Sequence, residues 1–271
     1  MDSRVTYRPV EPVKPAAGYI GGKKQLAKRL VDLIDATPHE TYAEPFVGMG
    51  GVFFRRRRAP KGEIINDRSG DVATFFRVLQ RHYVPFLDML RWQLTGRREF
   101  ERLKECDPST LTDLERAARF LYLQRTAFGG KVAGRNFGVD AAGARFNITK
   151  LVPMLEDLHE RLAGVVIECL RWQDFVARYD RPATLFFLDP PYYGSEGDYG
   201  RAMFDRTEFE ELATVLKGLK GRFILTLNDV PEVRRIFAGF KLTKASVTYT
   251  VSGSKPRRSG ELIITSVGRR R

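Results

Sequence analysis

The sequence predicts an α/β protein built on a doubly wound, mostly parallel sheet, with a small, mainly helical insert that carries a β-hairpin. Three observations predict it. Short apolar runs of strand length alternate with helical periodicity near both ends of the chain. A glycine loop, "EPFVGMGG", follows the first of those runs. From about residue 91 to 161 the strand rhythm stops and the spacing becomes helical.

Taken in order, "KQLAKRLVDLIDA" places Leu26, Leu30, Leu33 and Ile34 on one face, which predicts a helix over 24–36. A short strand is expected at 41–43, then the glycine loop, and "VFFRRRR" reads as the start of a helix with a basic outer end. "GEIIND" (62–67) is a second strand, and "DVATFFRVLQRHYVPFLDML" a helix interrupted near Pro85. In the middle, "EFERLKE", "LTDLERAARFLYLQRTAF" and "KLVPMLEDLHERLAG" read as helices. Between the last two, "RNFGV" and "ARFNI" flank "DAAG", a hairpin signal. Strands return at 165–170, 184–189, 223–228, 245–251 and 261–266. Residues 1–85 and 165–271 are thus expected to form one domain, interrupted by an insert at 86–164.

Composition narrows the function. Across 271 residues, 46 lysines and arginines against 33 acids leave a net charge of +13, which favours a polyanionic partner, nucleic acid above all. Cys106 and Cys169 are too few for a disulfide framework, so a reducing, cytoplasmic location is expected. His39, His82 and His159 lie too far apart to predict a metal site. The first residues lack the apolar core of a signal peptide, and no apolar run approaches the roughly 20 residues of a membrane span.

Two segments carry chemistry. Gly48, Gly50 and Gly51 follow a strand, where glycine lets backbone approach a ligand, and Asp67 ends the next strand, where a carboxylate can accept from ribose hydroxyls. That suits an adenosine-containing cofactor, although the third glycine of a dinucleotide fingerprint is missing. "TLFFLDPPYYG" then ends a buried strand on an acid, two prolines and two tyrosines. Proline fixes φ and lacks an N–H, so Pro190 and Pro191 make a stiff corner with carbonyls exposed as acceptors. An acid and an aligned carbonyl can grip an amino group while an aromatic ring stacks on a base.

Together "YIGGKKQL", "AEPFVGMGGVFF", "INDRSGDVATFFRVL", "LYLQRTAFGG", "LDPPYYG" and "SGELIIT", in this order, resemble the Dam-type DNA adenine-N6 methyltransferases in their alpha arrangement. The resemblance implies a Rossmann-like class I methyltransferase sheet with an antiparallel last strand, S-adenosylmethionine as cofactor, and double-stranded DNA as partner of a monomer or weak dimer. It assigns cofactor contacts to Tyr19, Lys23, Glu44, Pro45, Phe46, Gly48, Gly50, Asp67 and Asp189. The catalytic tetrapeptide is Asp189, Pro190, Pro191 and Tyr192. Segments 86–164 would read the target through Arg125, Lys131, Arg135, Asn136, Arg145 and Asn147, and a basic loop at 252–260 would add Lys255, Arg257 and Arg258. For the runs at 55–58 and 269–271, a solvated surface and a phosphate contact both stand. Ala127 occupies a position where the family commonly has glycine, so the target sequence is not given. Cytosine N4 methylation, a catalytically inactive DNA-binding relative, and a nicotinamide-dependent enzyme remain as alternatives.

Overall fold

A computed structural model describes residues 5–19, 21–23, 25–132, 134–138, 145–199, 204–249 and 257–266. The first elements are β1 (Arg8–Pro9), α1 (Ala27–Ala36), β2 (Thr41–Glu44), β3 (Arg58–Ala59) and β4 (Gly62–Asn66). Helices follow: α2 (Gly70–Arg81), α3 (Tyr83–Arg91), α4 (Arg97–Glu105), α5 (Asp113–Thr126) and α6 (Ile148–Arg161). The last part comprises β5 (Val166–Glu168), α7 (Trp172–Tyr179), β6 (Thr184–Leu188), α8 (Glu208–Gly218), β7 (Arg222–Asn228), α9 (Pro231–Ile236), β8 (Lys241–Tyr249) and β9 (Arg257–Thr265).

Seven strands form one sheet in the order β5-β4-β2-β6-β7-β9-β8. The first five run parallel, while β9 pairs antiparallel with both β7 and β8. The α/β class and the antiparallel edge expected from the sequence are therefore present. Strand β2 lies between β4 and β6, so the connections leave it in opposite directions and open a crevice at the carboxyl ends of the strands. Both faces are covered, as the continuous apolar character of β6 requires. Leu185 and Phe187 join one core cluster with Phe75, Phe120 and Leu155; Phe186 and Leu188 join the other with Phe175, Phe209 and Leu216. Helices α2, α5 and α6 thus pack on the sheet through the same apolar core as its own strands.

Four local expectations change. After the glycine loop the chain makes a single 3-10 turn, Phe53–Arg55, and then β3, instead of a helix. The reason lies in Arg56, which is fully buried against Glu63 and pulls the backbone inward. The helix break falls at His82 rather than Pro85, which sits in the first turn of α3, where no N–H donor is needed. Of the expected hairpin, Phe137 bridges Ala127, and Asn147 caps α6 instead of continuing a strand; 139–144 lie outside the described residues. Arg257 and Arg258, expected in a loop, begin β9 opposite Tyr249 and Thr248, and Lys255 lies outside the described residues.

Strand β4 is tied to α6 by a buried charge cluster that no sequence pattern revealed. Glu63 accepts from Arg56 at 2.8 Å and from Arg161 at 2.8 and 2.7 Å. The guanidinium of Arg56 lies 3.7 Å from the Tyr42 ring centroid, and that of Arg161 lies 4.3 Å from Phe53. The basic run at 55–58 is accordingly not a uniform solvated patch: Arg56 is interior, and Arg57 pairs with Asp32 and Asp35. Replacing Glu63 by alanine leaves two buried guanidinium groups facing each other, so a loss of about 3–5 kcal/mol is expected in urea unfolding. An unchanged midpoint would contradict a structural role for the cluster.

Candidate active site

Strand β6 is wholly buried, and Asp189 is the first residue beyond it. The corner that follows is held from β7. Asn228 Oδ1 accepts from the Tyr193 N–H at 3.0 Å, and its Nδ2 donates to the Tyr193 carbonyl at 2.9 Å. With Pro190 and Pro191 restricting φ, the corner has few ways to move. Lys23 Nζ approaches Asp189 Oδ1 to 2.7 Å, and Thr226 Oγ1 donates to the same oxygen at 2.7 Å. Among the described residues, Asp189 Oδ2 makes no hydrogen bond. Lys23 also donates to the Gly21 carbonyl at 2.9 Å and lies 4.4 Å from the Tyr192 ring centroid. Burial pushes the Asp189 carboxyl up, while Lys23 and Thr226 hold it down.

The glycine loop sits beside this corner. Gly48 has φ +50°, and a Cβ there would fall 2.9 Å from the Tyr19 ring, so glycine lets Tyr19 close on the loop. At Gly50 (φ +72°) a Cβ would meet Phe54 at 2.3 Å; this glycine serves packing. The Gly48 N–H donates to Asp67 Oδ2 at 2.9 Å, and Ser69 N–H to Oδ1 at 2.9 Å. Burial nonetheless pushes Asp67 up to about 6. Glu44, at the end of β2, accepts from the Tyr42 hydroxyl at 2.7 Å. Burial pushes it up to about 8, with the charges of Asp189 and Asp67 adding to the effect. Asn66 fixes both lips of the crevice: Nδ2 donates to the carbonyls of Pro45 (2.9 Å) and Leu170 (3.2 Å), and Oδ1 accepts from Leu170 N–H at 2.8 Å.

These segments enclose a cavity of about 730 Å³. Of the sequence-predicted residues, Tyr19, Lys23, Glu44, Pro45, Phe46, Gly48, Asp67, Asp189 and Pro191 line it, and so does Arg125, which was expected to contact DNA. Gly50, Pro190 and Tyr192 are not among its lining residues. Leu170, Trp172 and Arg55 also line it and were missed; Trp172 is held by its indole N–H donating to Glu208 at 2.6 Å. Their signal was faint: Leu170 and Trp172 stand just past β5, at the same sheet edge as Glu44 and Asp67.

The profile of the D12 class N6 adenine-specific DNA methyltransferases matches residues 19–251. The chain belongs to this family. It is 22% identical to the type II methyltransferase M.CviBI of Paramecium bursaria Chlorella virus NC1A, over 88% of this chain and 91% of that protein. It is 26% identical to the type II methyltransferase M1.LlaDCHI of Lactococcus lactis subsp. cremoris, over 94% and 96%. With the DNA N-6-adenine-methyltransferase of Escherichia phage P1 it shares 24% identity over 89% of this chain and 34% of that protein. The activity is therefore methylation of adenine N6 in DNA, which excludes the cytosine and nicotinamide alternatives.

In this D12-class enzyme the residues expected to read DNA divide into two groups. Lys131 and Asn136 are exposed. Arg125 ties three segments together: Nη1 donates to the Ala16 carbonyl at 2.7 Å, and Nε and Nη2 to the Arg145 carbonyl at 3.1 and 3.0 Å. Arg145 donates to the Ala127 carbonyl at 3.3 Å, and Arg135 to Lys131 O (3.1 Å) and Gln124 Oε1 (3.2 Å). Asn147 caps α6 through Lys150 N–H. Gln124, absent from the predicted set, joins the two regions, because its Nε2 donates to Gly18 O at 2.8 Å and Gly130 O at 2.7 Å. Gly130 packs so closely that a Cβ would lie 3.0 Å from the Gly18 carbonyl carbon. The segment before Tyr19 is thus clamped by the helical insert.

Two measurements follow from this geometry. A carboxyl whose folded pKa exceeds its unfolded value binds protons more tightly when folded, so stability is full at low pH and falls as pH rises through the folded value. For Asp67 that window runs from 3.8 to about 6, and for Glu44 from 4.5 to about 8. The ligand-free protein should lose stability between about pH 4 and about pH 8, and Asp67→Asn should flatten the part below about pH 6 in urea titrations. A wild-type and D67N pair with parallel pH curves would refute the burial argument. Gln124→Ala should weaken methyl-donor binding about tenfold in calorimetry by releasing the segment beside Tyr19.

Proposed function

We propose that the cavity binds S-adenosylmethionine and that Asp189 and the Pro190 carbonyl receive the exocyclic amino group of an adenine drawn out of duplex DNA. A volume of about 730 Å³ suits a ligand of that size. The donor set fits as well. Three carboxyl groups, Glu44, Asp67 and Asp189, face one cavity whose walls include the rings of Tyr19, Phe46 and Trp172. In this reading Asp67 accepts from ribose hydroxyls, Glu44 and the loop 45–51 hold the amino-acid part, and Tyr19 and Lys23 close the side. When bound, the cofactor supplies an electrophilic methyl group.

Adenine N6 is a poor nucleophile because its lone pair is delocalised into the ring. Accepting its two N–H bonds at Asp189 Oδ2 and the Pro190 carbonyl favours a pyramidal nitrogen with a directed lone pair. The chain's own contribution is then position and electrostatics, without a covalent enzyme intermediate. One observation carries the reading: Lys23 and Thr226 both occupy Oδ1 of Asp189, which leaves Oδ2 for a substrate donor. Extruding the base costs a few kcal/mol, which stacking on Tyr192 partly offsets.

In this reading, 1–85 and 165–271 are the catalytic domain and 86–164 the target-recognition insert. Lys131, Asn136 and the basic segment with Lys255, Arg257 and Arg258 meet the duplex, while Arg125, Arg135, Arg145 and Asn147 hold the recognising segment in shape. The protein works in the cytoplasm as a monomer or weak dimer. Among the described residues no helix is long and apolar enough to cross a membrane. The test is transfer of label from tritiated S-adenosylmethionine to duplex DNA, followed by digestion to nucleosides. Label in N6-methyladenine, falling steeply with salt and reduced at least ~100-fold by Asp189→Ala, is the expected outcome. Transfer that is indifferent to Asp189 would overturn the assignment.

A further inference from the structure

The loop between α3 and α4 presents two large apolar side chains to solvent: Trp92 is 86% exposed and Leu94 79%. Scattered exposed hydrophobics are ordinary, but these two sit on a backbone that is firmly held. The buried Tyr122 hydroxyl donates to the Leu94 carbonyl at 3.0 Å and accepts from Gly96 N–H at 3.1 Å. Thr95 Oγ1 donates to the Phe146 carbonyl at 2.8 Å, and the Arg97 guanidinium lies 5.2 Å from the Phe137 ring centroid. Phe137 and Phe146 are the two ends of the segment that carries Arg145 and follows Asn136. The loop is therefore pinned directly to the flanks of the segment assigned to target recognition.

Its charge indicates what covers it. Arg91, Arg97 and Arg98 are exposed around Trp92 and Leu94; the acids beside them are Asp88, which pairs with Arg91 at 3.2 Å, and Glu99, which accepts from Gln93 of the loop at 3.0 Å. The nearby Glu99 and Glu101 are matched by Arg102 and Lys104. A second copy of the chain would bring arginines against arginines across a two-fold axis, whereas a polyanion meets them with opposite sign. We propose that Trp92 and Leu94 form an additional contact surface for duplex DNA, packing on the sugars and base edges beside the target site while the adjacent arginines face phosphates. This rests on the DNA-methyltransferase reading and adds a contact outside the cofactor cavity and the base-extrusion corner.

The chain has two tryptophans, Trp92 and the buried Trp172, so Trp92 can be followed by its emission. Adding duplex DNA to the full-length protein should shield the solvent-exposed emission from acrylamide, and Trp92→Phe should abolish that response. In methylation assays Trp92→Ala and Leu94→Ser should raise KM for DNA about tenfold while kcat and methyl-donor affinity stay unchanged. If wild type methylates adenine but Trp92 stays accessible and both variants keep wild-type KM, this surface is refuted while the proposed function stands. A failure of wild type to methylate duplex adenine would sink both. Sedimentation showing a wild-type dimer that Trp92→Ala dissociates would assign the surface to a second copy and overturn the proposal.

Discussion

The site depends on one ion pair between a buried lysine and a partly buried aspartate. Lys23 is 4% exposed and meets Asp189 Oδ1 at 2.7 Å. Removing two such ions from water costs several kcal/mol each, and attraction between them offsets this only where geometry is good and remaining donors are matched. Both conditions hold: Lys23 donates also to Gly21 and faces the Tyr192 ring, and Asp189 accepts from Thr226. The pair links the segment just before α1 to the end of β6, so it fixes cavity wall and corner together. It also opposes burial, which pushes the Asp189 carboxyl up toward the neutral acid.

The surrounding acids are less well compensated. Glu44 and Asp67 are pushed up to about 8 and about 6 because the cavity takes them out of water. A ligand with cationic and hydroxyl donors relieves that tension, so affinity for the cofactor and strain in the free protein share one origin. Stability conceded at a binding site is a common exchange for function. The rest of the fold absorbs it through two aromatic-rich cores, one on each sheet face.

Much of this was legible in the sequence for physical reasons. The apolar run Leu185–Leu188 has the length of a buried strand, and the acid and prolines after it mark the carboxyl edge of a parallel sheet. The glycine loop announced a close approach of backbone, and Gly48 provides it beside Tyr19 with φ +50°. What stayed hidden depends on long-range partners. "FFRRRR" has helical and basic character locally, yet Glu63, which also pairs with Arg161, draws Arg56 inside, and the chain makes only a single 3-10 turn. Asn66 looks like any strand-ending asparagine until Pro45 and Leu170 come to either side of it. Arg125 and Arg135 carry side chains suited to base edges, and their bonds to the carbonyls of Ala16 and Lys131 follow from no local pattern. Gln124 was overlooked for the same reason: its partners, Gly18 and Gly130, lie on two other segments.

Helix α5 clamps the segment before Tyr19; in the proposed reading, binding of DNA on the insert and closure of the cofactor cavity would draw on these same hydrogen bonds. Whether the ion pair governs the chemical step is measured most directly by the pH dependence of single-turnover methyl transfer, with saturating cofactor and DNA, in wild type and Lys23→Met. Without the ammonium, Asp189 should hold its proton to higher pH, and the acidic limb of the profile should move up by more than about one unit. A limb that stays where wild type has it would contradict the account.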